Sequence, residues 1–81
     1  SQLDADAIIA RYQDNPDKWE LCELAAILLL KMSDEADDAQ VVTKARLRQN
    51  GTSLLEYVQA NSPNFSLQRS QLLQLLKSGQ Q

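Results

Sequence analysis

The stretch Trp19-Glu20-Leu21-Cys22-Glu23-Leu24-Ala25-Ala26-Ile27-Leu28-Leu29-Leu30-Lys31-Met32 decides the fold. Only Glu20, Glu23 and Lys31 in it are polar, and Leu24 to Leu30 is an unbroken apolar run. That run covers every face of nearly two helical turns, and a helix that is apolar all round is one buried on all sides. The expectation is a central helix over about 16–32 that the other segments wrap. A membrane span needs about 20 apolar residues, and this run is closely flanked by two Glu and a Lys. Cys22 reads as a small hydrophobe inside it.

Working outward, Ala5, Ile8, Ile9 and Tyr12 recur at helical spacing and form one face of a first helix. Asn15-Pro16 ends it, and the same pair can start the central helix, with Asn15 as cap and Pro16 in the first turn. Beyond Met32, Ser33 is a candidate cap for a third helix over about 34–49. It would end at Asn50-Gly51, residue types that accept left-handed backbone. Its apolar positions, Ala36, Ala39, Val41, Val42, Ala45 and Leu47, are small and scattered round the wheel. Ser53 and Glu56 form a capping box for a short fourth helix over about 54–60. Asn61-Ser62-Pro63-Asn64 is a turn cluster. Ser66 then caps a fifth helix holding Leu67, Leu72, Leu73, Leu75 and Leu76, with Gly79 as its stop and Gln80 and Gln81 frayed.

Composition agrees with an all-α chain. Fourteen Leu stand against three Val and three Ile, and two Gly and two Pro are too few for a turn-rich β fold. At 81 residues the sequence allows one domain with one core. The predicted fold is therefore a small single-domain all-α bundle of four to five short helices around the buried central one, spanning 1–81 of a chain that is either whole or part of a longer one.

With no His and one Cys, the sequence lacks the ligands and bases of His-metal sites, zinc fingers, catalytic triads and Cys-pair redox centres. No cofactor, metal or membrane partner is expected, nor an enzyme. The lone Cys and an acidic opening, Ser1 to Asp6, fit a cytoplasmic protein without an export signal. Asn50-Gly51-Thr52 and Asn64-Phe65-Ser66 match the glycosylation triplet only as chance short patterns. Asp34-Glu35-Ala36-Asp37-Asp38 fails as a calcium loop, because the positions that need Gly and Glu hold Ala39 and Ala45.

Charge divides the chain. Residues 1–40 hold ten acids against three bases, a net of −7, and residues 41–81 hold five bases against one acid, a net of +4. In the third predicted helix, acids at its start and Lys44, Arg46 and Arg48 at its end also suit the helix dipole. The expected function is a small acidic, non-enzymatic protein-interaction module, a regulator, adaptor or chaperone-like protein, that binds another protein or itself as a homodimer. Lys44, Arg46, Arg48, Arg69, Leu73 and Leu75 are its candidate contact residues. Leu72-Leu73-Gln74-Leu75-Leu76 fits the L-x-x-L-L docking pattern, although core packing would use the same leucines. The alternative is a nucleic-acid-binding regulator that reads with Gln68, Arg69, Gln71 and Gln74 of the fifth helix and holds phosphate through the basic end of the third and Lys77. The sequence pI of about 4.7 weighs against that alternative.

Overall fold

The structure is a computed structural model that describes residues 4–79. Among them the chain forms four helices and no strands: α1 (Ala5–Tyr12), α2 (Lys18–Glu35), α3 (Val41–Asn61) and α4 (Leu67–Ser78). The expected fraying of Gln80 and Gln81, and the first three residues of the acidic opening, lie outside the described residues.

The helix α1 buries Ala5 and Ile8, with Ile9 and Tyr12 packed at the edge, as the spacing predicts. Asn15 ends it but does not cap α2 at Pro16. Its Oδ1 accepts from Asp17 N at 2.8 Å, closing a turn, and α2 begins only at Lys18. At the other end Ser66 caps α4 as expected, its Oγ accepting from Arg69 N. Gly79 follows the helix in right-handed backbone at φ −74°, so it stops α4 without needing the conformational freedom of glycine.

The middle of the chain departs from the sequence reading. Ser33 is not a cap; α2 runs past it to Glu35, and its buried Oγ donates to Lys44 O at 2.8 Å across the gap to α3. The predicted third and fourth helices are one helix, continuous through Asn50-Gly51 and through the Ser53–Glu56 pair. No residue among those described has positive φ. Asn50 and Gly51 are helical, and tertiary contacts explain both. Asn50 Nδ2 donates to Arg46 O one turn back, while its Oδ1 accepts from Ala5 N and satisfies the first turn of α1. Gly51 lies where α2 and α3 come closest. A Cβ there would stand 2.9 Å from Leu30 Cγ and 3.1 Å from the Ala26 carbonyl oxygen.

α2 and α3 run antiparallel, with Ser33 against Lys44, Ala26 and Leu30 against Gly51, and Trp19 against Tyr57 at a ring separation of 5.6 Å. α3 is the helix that packs on all the others: on α2 along its length, on α1 and on α4. The most deeply buried large side chains, Leu54, Leu55 and Val58, are its own. The expected central helix is thus displaced by α3.

α2 is not wrapped on all sides. The Cα envelope measures 39 × 27 × 16 Å. Helices pack about 8–10 Å apart, so the short dimension holds only two layers. α2 buries Cys22, Ala26, Leu29 and Ser33 against the core and leaves Leu24, Ile27, Leu28 and Met32 in solvent.

Two outcomes follow. Gly51→Val gains helix propensity but must part α2 from α3 at the Ala26 carbonyl, so it lowers unfolding free energy by about 2–3 kcal/mol in urea titrations, with Gly51→Ala losing less. Burial pushes the Cys22 thiol above its ordinary value of 9.0, Lys18 acting weakly in the opposite sense. The unfolded chain therefore loses the thiol proton first, and stability falls as pH rises from about 9 until the folded thiol also ionises. Comparison of thermal melts with Cys22→Ala at alkaline pH isolates that component.

Candidate interaction face

The residues proposed from sequence do not form one surface. Arg69 is buried, at 6 % exposure, and its guanidinium is fully engaged. Nη1 donates to Glu23 Oε1 at 2.7 Å, Nε to Gln59 Oε1 at 2.6 Å and Nη2 to Asn64 O at 2.8 Å. It ties α2, the end of α3 and the turn before α4 together, using the planar fork that Arg supplies and Lys lacks. Leu73 is buried in the core, and Leu75 lies on the opposite, exposed side of α4. Of the L-x-x-L-L leucines, Leu76 is buried, Leu72 is half-buried and Leu75 is exposed, so the fold uses most of the pattern for packing.

Lys44 folds back on the α2–α3 turn, donating to Ala36 O and to Asp38 at 3.1 Å. Arg48 is half-buried and its Nη2 donates to Leu76 O at 3.4 Å, near the last turn of α4. Arg46 is exposed. The dipole account of residues 34–48 also changes, because Asp34 and Glu35 end α2 while Lys44, Arg46 and Arg48 fall in the first half of α3. Asp37 serves the connecting turn, where its Oδ1 accepts from Ala39 N.

The feature missed from sequence is the outer face of α2. Leu24, Ile27, Leu28 and Met32 stand at i, i+3, i+4 and i+8 and are 56, 41, 52 and 43 % exposed. Glu20, Lys31 and Glu35, all exposed, lie along the same stripe. The inner face carries Leu29 beside the smaller Cys22, Ala26 and Ser33. Three of these four buried residues are thus small, while large apolar side chains face water. Such side chains gain nothing from water, and an exposed row of them is a candidate contact face. The sequence signal for this was the small residues at positions 22, 26 and 33, one helix face fitted for close approach. The outer side of α3 carries Arg46, Gln49, Ser53 and Glu56 and is polar, while Val41, Val42, Phe65, Leu67 and Leu75 are exposed elsewhere on the surface.

Shallow depressions lie beside α3, one between it and the start of α1 and another along Ala45, Gln49, Thr52 and Glu56. Ser53 lines both, beside Asp4 and Asp6 in the first and beside Thr52 and Glu56 in the second. Among the described residues no group of three or more His, Cys, Asp or Glu side chains is placed to hold a metal ion, and no helix is long and apolar enough to cross a membrane.

Arg69→Gln leaves Glu23 and the Asn64 carbonyl without their donor. It should destabilise the fold by about 2–3 kcal/mol in chemical denaturation, at the lower end for a buried pair because Glu23 is partly solvated. Arg69→Lys should recover less than half of this, whereas Arg46→Ala should change stability by less than about 0.5 kcal/mol. Compared with protein-family models, curated proteins and solved structures, the chain matches none, and its function rests on this geometry.

Proposed function

We propose that the chain is a non-enzymatic protein-interaction module that docks through the outer face of α2. The single observation that carries the reading is the row Leu24, Ile27, Leu28 and Met32, large apolar side chains left in solvent on a helix whose inner face is already filled. Burying such a row against a partner gains roughly 25 cal/mol for each Å² removed from water. The charged residues on the stripe, Glu20, Lys31 and Glu35, supply orientation and discourage indiscriminate sticking. A regulator or adaptor working in the reducing cytoplasm fits a domain whose lone thiol is buried and held in its neutral form. The nucleic-acid alternative is weaker. Arg69, one of its four base readers, is enclosed by Glu23, Gln59 and Asn64, and Lys44 is drawn to Asp38, which leaves Arg46 and Lys77 as its exposed bases.

The test is site-specific photocrosslinking in the source cell with benzoylphenylalanine in place of Leu28, and, as control, in place of Gln49 on the polar side of α3. A discrete adduct from position 28 and none from position 49 is the expected result. No adduct from position 28, or equal labelling from both, overturns the reading. Leu24→Gln with Leu28→Gln should leave helicity and unfolding free energy within about 0.5 kcal/mol per site of the parent, because those side chains support no core. Loss of the fold in that variant would also overturn the proposal.

A further inference from the structure

The stripe on α2 has a charge order as well as an apolar centre. Glu20 and Lys31 are eleven residues apart. Eleven residues make just over three full turns, so the two side chains lie close to one line of the helix about 16 Å apart. Leu24, Ile27 and Leu28 stand between them, all exposed. From Glu20 to Lys31 the stripe runs acid, apolar centre, base. Reversed end for end, that segment is complementary to itself.

We infer that the occupant of this face is a second copy of the chain, with the two α2 helices antiparallel about a twofold axis between Ala25 and Ala26. The inference rests on the docking reading above and names its partner. About that axis Glu20 meets the second copy's Lys31, Lys31 meets its Glu20, and Leu24 lies opposite its Ile27. A twofold contact of this kind uses the same patch on both subunits and forms every pair twice. A parallel arrangement would set Glu20 on Glu20 and Lys31 on Lys31 and is excluded by charge. At either end of the antiparallel pair, Glu35 approaches the first turn of the other α2, where the helix dipole is positive and Lys18 stands. Stacking two such slabs encloses both apolar stripes and leaves the polar outer side of α3 facing water on both sides.

The four exposed apolar side chains offer on the order of 350 Å² per copy, a patch of the size that is often functional on a monomer. A standard interface takes about 800 Å² from each partner. Even with its charged flanks the contact therefore falls below standard size, a weak and reversible dimer with Kd no tighter than micromolar.

The experiment is sedimentation equilibrium on the full chain, from roughly 1 µM to 1 mM, a range that brackets such a Kd. The variants are Glu20→Lys, Lys31→Glu and both together. Each single change turns two attractive pairs into two repulsive ones and should weaken the dimer about tenfold or more. An equimolar mixture of the two single variants restores both attractive pairs and should form a heterodimer of parental affinity, as should the double variant with itself. Circular dichroism checks that all three variants, changed only at exposed positions, retain the parental helicity. A parental chain that stays monomeric throughout overturns the inference. So does a dimer indifferent to the single changes, or one that the mixture fails to restore. A monomeric chain that still gives a discrete adduct with another protein at position 28 overturns self-pairing while leaving the docking reading intact.

Discussion

The close antiparallel contact between α2 and α3, at Ala26 and Gly51, is the constraint on which the rest depends. With no side chain on Gly51 the Ala26 carbonyl and the Leu30 side chain come within the space a Cβ would take, which brings the two longest helices together along their length. Close approach maximises dispersion contact among side chains that are individually small. It also sets the register that places Ser33 Oγ on the Lys44 carbonyl at one end and Trp19 beside Tyr57 at the other.

The smaller helices are attached to that pair by specific polar links as well as by apolar packing. Asn50, one residue before the glycine, supplies the acceptor that the start of α1 needs, so the same turn of α3 serves two helices. At the far end Arg69 joins α4 to Glu23 of α2 and to Gln59 of α3. Its role is structural because every arm of the guanidinium is directed inward, and an enclosed cation with satisfied donors has little field left to offer a phosphate outside. The basic character of the second half of the sequence is consumed in part by the fold itself.

A slab two helices thick has consequences for the surface. In such a shape no helix can be buried on all faces, and a helix apolar all round must present one apolar side to water. Cys22, Ala26 and Ser33 permit close packing and go inward with Leu29, while Leu24, Ile27, Leu28 and Met32 are left outside. The face proposed for interaction is thus the remainder of the helix that packs inward on α3.

Local chemistry was legible in the sequence. Helical class, the face of α1, the turn at Asn61 to Asn64 and the Ser66 cap of α4 all follow from spacing, capping oxygens and proline, which act within a few residues of themselves. Asn50-Gly51 and Ser53 with Glu56 were misleading, because a helix-ending pair and a helix-starting box look the same whether or not a neighbouring helix needs a cap and a close contact at that place. The all-apolar run was legible as a helix with two apolar sides, but not as one with a single side covered. That depends on how many layers the chain can stack, which is set by the packing of α3 against the other three helices and by no residue of α2 taken alone. The sequence by itself determined the all-helical class, the buried face of α1 and the Ser66 cap of α4. The tertiary structure decided that the middle is one long helix, that Arg69 is enclosed and that the outer row of α2 faces water, because each is a relation between residues distant in the chain.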